Sequence, residues 1–300
     1  MLERLLTEQC NPASLGIDAR STFDVVRIIN DEDRKVADSV TPELPNIARA
    51  VDAIVARFEG GGRLFYIGAG TSGRLGVLDA SECRPTYNVP HDMVQGVIAG
   101  GEKALSRATE ASEDDPSAGA RDLLAHGFSS GDVLVGIAAS GRTPYVLDAI
   151  AKARELGAVT VGISCTTDSD LARAADIPIT PLPGPEIVTG STRMKAGTAT
   201  KLVLNMLTTA SMIRMGHVYG NLMVNVQPTN AKLRARATRI VGQAAAVDET
   251  RAAELLSEAG DHVPTAIVMG RRHVDSARAK RLLEAARGRV SAAMEIEIDG

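Results

Sequence analysis

Two short loops rich in Gly, Ser and Thr carry the clearest chemical signal in this sequence. The first loop is GAGTSG at residues 68–73, and the second is ASGRT at residues 139–143. Each follows an apolar run and precedes a helical pattern, so backbone N–H groups, hydroxyl groups and the positive end of a helix can converge on one anion. A monophosphate suits such a pair of loops, and the sequence therefore favours a phosphorylated sugar as the ligand.

Seven residues of these loops are candidates for binding the ligand. Hydroxyl side chains can contact the phosphate, glycines allow the backbone to approach it closely, and an arginine adds a positive charge. The hydroxyl candidates are Ser72, Ser140 and Thr143, the glycines are Gly70, Gly73 and Gly141, and the arginine is Arg142. Glycine and serine are also typical of tight turns that bind nothing, and this alternative stays open for either loop alone.

The first loop also matches GxGxxG, the pattern of dinucleotide-binding turns. That interpretation requires a second strand that ends in an acidic residue about 20 residues later. Residues 84–90 occupy this stretch with the sequence RPTYNVP, whose two prolines argue against a strand. A dinucleotide site also has no need of the second loop. The sequence therefore favours the sugar phosphate over a dinucleotide.

The elements that must position the two loops follow from apolar periodicity. Short apolar runs predict strands, and patterns with three- and four-residue spacing predict helices. The predicted strands are 64–67, 133–138, 159–164 and 177–179, with helices at 144–156 and 170–175. Strands that alternate with helices indicate an α/β fold with a doubly wound parallel sheet, in which ligands bind at the carboxyl ends of the strands.

Helical patterns flank this α/β region on both sides. They cover residues 21–58 before it and 231–246, 248–259 and 276–287 after it. We predict an N-terminal helical segment at 1–50, a sugar-phosphate domain at 51–219 and a small C-terminal helical subdomain at 220–300. The apolar stretch 202–213 is shorter than the roughly 20 residues that span a bilayer, so we expect a buried helix and no membrane partner.

Composition limits the class of protein and its partners. With 300 residues, a net charge of −4 and 44% hydrophobic residues, the chain is neither collagen, nor disordered, nor a small disulfide scaffold. A slightly acidic chain with 3% aromatic residues offers neither a broad positive field nor stacking platforms, so we expect no nucleic-acid partner. The basic stretch 271–281 could form a nucleic-acid patch, although such spacing is more typical of a solvated helix face.

Cysteine and histidine usage indicates a cytoplasmic enzyme without a metal. Cys10, Cys83 and Cys165 are odd in number and far apart, as suits reduced thiols. The first residues lack the apolar stretch of a secretory signal. The five histidines show no zinc-ligand spacing, so we predict no metal site.

Four longer strings resemble one family, the N-acetylmuramic acid 6-phosphate etherases, within the SIS (sugar isomerase) fold. The glucokinase regulatory protein is a relative of that family. The strings are TEQCNP at 7–12, GAGTSGRLG at 68–76, DASEC at 79–83 and GPEIVTGSTRMK at 184–195. The resemblance extends from near the N-terminus to about Val241 and is weaker over the last sixty residues. Arg84 is a departure, since the family pattern leads us to expect Pro there.

The resemblance implies a lyase of amino-sugar catabolism. Such an enzyme cleaves the D-lactyl ether of N-acetylmuramic acid 6-phosphate and yields N-acetylglucosamine 6-phosphate and D-lactate in cell-wall (peptidoglycan) recycling. No metal or organic cofactor is implied. The resemblance also implies a homodimer of SIS domains, in which the partner chain can complete each site.

This reaction needs an acid and a base. The open-chain sugar has an aldehyde at C1, which makes the C2 proton acidic. A base removes that proton, an acid protonates the departing lactyl oxygen at C3, and water then adds to C3. Two carboxyl groups suffice when one of them is protonated, and burial or a neighbouring carboxylate can raise the pKa of that group.

The resemblance assigns Glu82 as the proton donor and Glu113 as the base at C2. From the residues alone, Glu82 is equally typical of a helix-end carboxylate, and the acidic cluster around Glu113 is typical of a solvated surface. The string at 184–195 adds Glu186, Ser191 and Lys195 as substrate-binding candidates, because the helix predicted at 198–215 can direct its N-terminus to the site. Lys195 would hold the phosphate or the lactate carboxylate, with a surface position as the alternative.

Two alternatives to the etherase stay open. One is a non-catalytic sugar-phosphate sensor that regulates a partner, as the glucokinase regulatory protein does. The presence of both Glu82 and Glu113 argues against it, as does a length that fits a single SIS domain. The other is an aldose–ketose isomerase, which shares the C2 proton abstraction but needs no acid for a leaving group. Its product is a ketose, whereas an etherase releases lactate.

Overall fold

The apolar runs before the two loops form adjacent strands in the computed structural model, which describes residues 6–107, 113 and 115–297. These strands, β1 (Leu64–Gly68) and β3 (Val133–Ile137), pair in parallel, and every residue of both is buried. Continuous burial is typical of a parallel sheet that helices cover on both faces.

The complete sheet has five parallel strands in the order β2-β1-β3-β4-β5. The remaining strands are β2 (Val94–Ile98), β4 (Val159–Ile163) and β5 (Ile177–Ile179). The predicted α/β class with a doubly wound parallel sheet is confirmed, as are the four predicted strands. Strand β2 was not predicted, because Gln95 and Gly96 interrupt its apolar run.

Helices precede and connect these strands. The N-terminal helices are α1 (Thr22–Asp33), α2 (Val36–Val40) and α3 (Leu44–Glu59), with 3-10 turns at Leu6–Glu8, Pro12–Ser14, Ile17–Ala19 and Thr41–Glu43. The helices that follow β1 are α4 (Gly70–Tyr87), α5 (Lys103–Ser106), α6 (Ala118–Ala125), α7 (Pro144–Glu155), α8 (Asp170–Ala174) and α9 (Lys195–Met215). Helix α3 buries Ile47, Val51, Ile54 and Phe58, which lie on one face at three- and four-residue spacing.

The chain divides into two compact units. The first unit comprises Met1–Ser81 and His91–Thr208, and the second comprises Glu82–Pro90 and Thr209–Gly300. The first unit contains the sheet and the N-terminal helices. The three regions expected from the sequence, 1–50, 51–219 and 220–300, stay a prediction.

The second unit is mainly helical. It contains the short antiparallel pair β6 (Val218–Tyr219) and β7 (Leu222–Met223), followed by α10 (Ala231–Ala245), α11 (Glu249–Glu258), α12 (Val263–Arg272), α13 (Ser276–Ala285) and α14 (Val290–Glu295). The side chains of Asn230, Asp248 and Asp275 accept hydrogen bonds at the N-termini of α10, α11 and α13. These three helices confirm the predicted C-terminal patterns.

Helix α12 is the central helix of this unit and was not predicted from the sequence. Seven consecutive residues, Val263–Met269, are buried, so the first two turns of the helix have no face exposed to solvent. At its carboxyl end Arg272 donates hydrogen bonds to the carbonyl oxygens of Ala293 (3.2 Å) and Ile296 (2.8 Å). One cation of the basic stretch at 271–281 therefore anchors the segment around α14.

None of the helices in the described part of the chain has both the length and the apolar character needed to cross a lipid bilayer. Helix α9, which covers the apolar stretch 202–213, packs Val203, Leu204 and Leu207 into the interior. The prediction of a buried helix there is confirmed.

Candidate active site

A cleft of about 170 Å³ lies at the carboxyl ends of β1 and β3. In the strand order of this sheet, chain connections run to opposite sides of this strand pair, which is the position where open α/β sheets bind ligands. Residues that follow both strands line the cleft, together with residues of the N-terminus and of the region around α9. The lining residues are Thr7, Glu8, Ala69, Gly70, Thr71, Ser72, Glu113, Ile137, Ala138, Ala139, Ser140, Thr143, Gly190, Thr192, Gly197 and Thr200.

Helix α4 presents an open N-terminus to the cleft. Among the described residues, none accepts a hydrogen bond from the backbone N–H groups of Thr71 or Ser72. Gly73 allows this helix start to lie against the sheet, because a Cβ there would be 2.6 Å from both the Gly68 oxygen and Ile98 Cγ1. Unpaired N–H groups at the positive end of an 18-residue helix form a site suited to an anion.

The loop after β3 closes a tight turn beside the cleft. Gly141 has a positive φ of 65°, and a Cβ there would lie 2.3 Å from Ser169 Cβ. Its N–H donates to the Ala138 carbonyl (2.8 Å), so this glycine serves the turn. Ser140 lines the cleft, whereas Arg142 is exposed and does not line it. Ligand contacts by Gly73, Gly141 and Arg142 stay predictions.

Glu113 is half-buried and lines the cleft. The hydroxyl of Thr143 donates a hydrogen bond to Glu113 Oε1 (3.2 Å), and the Tyr145 N–H donates to the Glu113 carbonyl (3.4 Å). Because a hydroxyl has a single proton, Thr143 in this arrangement holds the carboxylate, and its phosphate contact stays a prediction. Residues 108–112 and 114 of the acidic cluster lie outside the described residues.

Glu82 lies on α4 within the second unit, and its side chain is exposed. The neighbouring Cys83 is buried and Arg84 is exposed near the carboxyl end of the same helix. The role of Glu82 as proton donor, and any effect of Arg84 on it, stay predictions.

Helix α9 presents a closed N-terminus to the cleft, unlike α4. The buried carboxylate of Glu186 accepts hydrogen bonds from the N–H groups of Lys195 (2.9 Å) and Ala196 (2.9 Å). The Gly197 N–H donates to the Thr192 carbonyl (2.9 Å). The first donors of this helix are therefore paired within the protein. Substrate contacts by Glu186 and by the half-buried Ser191 stay predictions.

The ammonium group of Lys195 is buried in an ion pair. Its Nζ donates to Glu32 Oε2 (2.7 Å), and the Asn11 side chain donates to the same oxygen (2.9 Å) while Lys35 pairs with Oε1. Burial opposes ionisation of Glu32, but the hydrogen bonds from these three residues outweigh it and lower the pKa of Glu32 from 4.5 to about 2. Lys195 does not line the cleft in the described structure, so its substrate contact stays a prediction.

The structure also places residues in the cleft to which the sequence assigned no chemistry. They are Thr7, Glu8, Thr71, Thr192 and Thr200. Thr7 and Glu8 belong to the string TEQCNP, and its resemblance to the etherase family is the signal that could have singled them out. Nothing in the string itself indicates that it lies beside loops from distant parts of the chain. The described lining contains two charged side chains, Glu8 and Glu113, and both are acidic. A phosphate in the cleft would therefore depend on N–H groups and hydroxyls.

No group of three or more His, Cys, Asp or Glu side chains able to hold a metal ion occurs in the described ranges 6–107, 113 and 115–297. The cleft lining itself contains neither histidine nor cysteine among those residues.

Comparison with known families places this cleft within a SIS domain. A family model of the glucokinase regulatory protein N-terminal SIS domain matches residues 46–154, and a SIS domain model matches residues 115–210. Together these matches cover the strands that frame the cleft.

Curated relatives match nearly the full chain. The chain is 56% identical over 290 residues to N-acetylmuramic acid 6-phosphate etherase of Aeromonas hydrophila, which covers 97% of each protein. It is 58% identical over 267 residues to the etherase of Symbiobacterium thermophilum, covering 89% of each. It is 50% identical over 290 residues to etherase 1 of Enterococcus faecalis, covering 97% of each.

Solved structures share the fold at much lower sequence identity. A phosphoheptose isomerase from Francisella tularensis aligns with a TM-score of 0.52 and 18% identity, covering 65% of this chain and all of that one. A protein of the E. coli strain CFT073 aligns with a TM-score of 0.50 and 15% identity, covering 67% of this chain and 97% of that one. These likenesses establish the fold alone.

Proposed function

The chain belongs to the N-acetylmuramic acid 6-phosphate etherase family, and we propose that its cleft cleaves the D-lactyl ether of N-acetylmuramic acid 6-phosphate. The products are D-lactate and N-acetylglucosamine 6-phosphate. The observation that supports this most directly is the position of Glu113, whose carboxylate lines the same cleft as the open N-terminus of α4. A base beside a phosphate site is what C2 deprotonation of a sugar phosphate requires.

The phosphate is bound at the start of α4. The N–H groups of Thr71 and Ser72, the Ser72 hydroxyl and the Ser140 hydroxyl supply donors, and Gly70 exposes the backbone. Such binding needs no lysine or arginine in the cleft, because the helix dipole and several N–H donors stabilise the charge. Holding the phosphate fixes the distance between the reacting carbons and the catalytic carboxylate.

Elimination and hydration then proceed with two carboxyl groups. Glu113 takes the proton from C2 of the open-chain sugar, the electron pair forms the C2–C3 double bond, and the C3–O bond breaks. The family resemblance assigns protonation of the departing lactyl oxygen to Glu82, which does not line this cleft in the described structure. Water then adds its oxygen to C3 and a proton returns to C2, so the sum is ether plus water giving sugar and D-lactate. The hydrogen bond from Thr143 orients Glu113 for its step.

We also propose a homodimer. Helix α1 exposes the apolar side chains of Phe23 (74% exposed) and Val26 (59% exposed), which are three residues apart on one helix face. A second copy that covers this face would remove both side chains from water. Sedimentation velocity at micromolar concentration should give twice the chain mass of 31.4 kDa, and a monomer at that concentration would contradict the proposal.

The cellular setting is proposed as cytoplasmic amino-sugar catabolism during peptidoglycan recycling, with no nucleic-acid partner. A phosphorylated muramic acid substrate and the family membership support this setting. Cells that lack the gene should accumulate N-acetylmuramic acid 6-phosphate in the cytoplasmic fraction. Normal levels of that metabolite would contradict the proposal.

D-lactate release by the purified protein tests the reaction. Wild type should release D-lactate from N-acetylmuramic acid 6-phosphate, and the unphosphorylated sugar should give none. Glu113→Gln and Glu82→Gln should each lower kcat by about 10²- to 10⁴-fold, the usual range for general acid–base groups. Formation of a ketose would favour an isomerase, and tight sugar-phosphate binding without any product would favour a sensor.

A further inference from the structure

The N-terminal segment at residues 7–11 reaches the cleft and is fixed at both ends. At one end the buried Thr7 accepts a hydrogen bond through its carbonyl from the Gly190 N–H (3.2 Å). At the other end the buried Asn11 donates to Glu32 Oε2 (2.9 Å) and to the Pro185 carbonyl (2.9 Å). Buried polar contacts of this kind are costly to break, so the backbone between them is held in place.

Glu8 lies between these two anchors and lines the cleft. Its Oε2 is 3.4 Å from the position that a Cβ on Gly190 would take, so the carboxyl group lies directly against the loop at 190–192. Within the described residues its carboxylate accepts one hydrogen bond, a long one of 3.5 Å from the Thr7 hydroxyl. Glu8 is exposed, so most of its acceptor capacity is open to solvent or to a ligand in the cleft.

The charge of Glu8 limits which part of a ligand it can face. A carboxylate only accepts hydrogen bonds, and it repels the phosphate and the lactyl carboxylate of the proposed substrate. Neutral hydroxyl groups of the sugar are good donors to it, and a hydrogen bond to a charged acceptor is among the strong ones in proteins. Nor does the cleft offer Glu8 a cationic partner among its described lining residues.

We propose that Glu8 is a substrate-contacting residue, which accepts hydrogen bonds from the sugar hydroxyl groups and orients the sugar while the phosphate lies at α4. The proposal rests on the proposed function, because it assigns a further contact in the same cleft. Glu8 thereby selects against ligands that present a second anionic group on the side of the sugar that faces it. The Asn11–Glu32–Lys195 contacts are the scaffold that keeps this contact in place.

The test compares Glu8→Gln and Glu8→Ala with wild type and with Gln9→Ala. Gln9 is the exposed neighbour of Glu8 and does not line the cleft, so it controls for changes in the segment itself. Both Glu8 variants should lower kcat/KM for N-acetylmuramic acid 6-phosphate by about ten- to hundredfold, as expected when one charged hydrogen bond is lost. The inhibition constant of inorganic phosphate should not rise above the wild-type value, since Glu8 donates no hydrogen bond to the phosphate and its charge only repels it.

Calorimetric binding of N-acetylglucosamine 6-phosphate keeps this proposal separate from the proposed reaction, because it needs no turnover. Its Kd should rise about tenfold in Glu8→Ala and stay unchanged in Gln9→Ala. Unchanged kcat/KM and Kd in both Glu8 variants would overturn the role of Glu8 while leaving the etherase intact. A wild type that binds the sugar phosphate but releases no D-lactate would overturn the etherase, and the Kd comparison would still decide the role of Glu8.

Discussion

The N-termini of α4 and α9 line the same cleft and differ in where their N–H groups are directed. At α4 the N–H groups of Thr71 and Ser72 have no acceptor among the described residues, whereas at α9 Glu186 accepts the first two donors. Both helices are long, 18 and 21 residues, so both have a positive end. A ligand anion can therefore be stabilised at the N-terminus of α4, whereas at the N-terminus of α9 the anion is the carboxylate of Glu186.

The N-terminus of α9 also carries a charged side chain that pairs within the protein. Lys195 at the start of α9 follows the cleft-lining Thr192 closely in sequence, yet its ammonium group pairs with Glu32 in the interior. A residue within a motif that resembles the family, such as Lys195, can thus stabilise the fold around the site. The open N-terminus of α4 is therefore suited to ligand binding, and the closed N-terminus of α9 to stabilising the fold.

The largest effect is expected for Lys195→Met. Removing the ammonium group leaves the buried Glu32 without its main partner, and loss of one member of a buried pair costs about 3–5 kcal/mol. The free energy of unfolding, measured by urea titration, should fall by about that amount. Lys201→Met is the matched control, because Lys201 is exposed on the same helix and its loss should change stability by less than about 0.5 kcal/mol.

The double variant Glu32→Gln/Lys195→Met should recover much of the stability lost in Lys195→Met, since it removes the uncompensated charge. Equal stability of Lys195→Met and Lys201→Met would show that the buried pair contributes nothing, and the contrast between the two helix ends would then disappear.

A smaller loss in the free energy of unfolding is expected at acid pH. The pKa of Glu32 in the folded protein is about 2, below its usual value of 4.5, so the unfolded chain binds the proton more readily. The stabilisation is therefore complete above about pH 5 and is lost as the pH falls towards about 2, by at most about 3 kcal/mol. Urea titrations from about pH 6 to about pH 3 should show this slope in wild type and a shallower one in Glu32→Gln. Parallel slopes would contradict it.

The smallest effect is expected for Ser72→Ala at the open end. Loss of one hydroxyl donor to a phosphate should raise the inhibition constant of inorganic phosphate and the KM by about five- to tenfold, equivalent to about 1 kcal/mol. The free energy of unfolding should not change, because the N–H and the hydroxyl of Ser72 make no hydrogen bond with another described residue.

Glu186→Gln at the closed end should give the opposite pattern to Ser72→Ala. Its unfolding free energy should fall by about 1 kcal/mol, because a neutral amide caps the helix less well than a carboxylate. Its phosphate inhibition constant should stay near the wild-type value. If Glu186→Gln instead weakens phosphate inhibition as much as Ser72→Ala does, the comparison is wrong and Glu186 contacts the ligand.

Local patterns predicted much of the fold. The buried strands β1, β3, β4 and β5 are short apolar runs, and α10, α11 and α13 have clear amphipathic periods with polar caps. Two elements escaped prediction because their local signal is weak. Strand β2 contains Gln95 and Gly96, and the first seven residues of α12 are buried on all sides. A period can be detected only where one face of an element meets water.

The sequence by itself determined the two loops and the helices that follow them, and it carried the motifs that resemble the family. Each of these features depends on residues close to one another in the chain. Only the tertiary structure decided that Glu8 and Glu113 line one cleft, that Glu186 closes α9 and that Lys195 pairs with Glu32 across 163 residues of chain. Whether a charge binds a ligand or its own protein depends on which partner reaches it in a low-dielectric interior. That partner is set by packing between distant segments, which local sequence patterns do not encode.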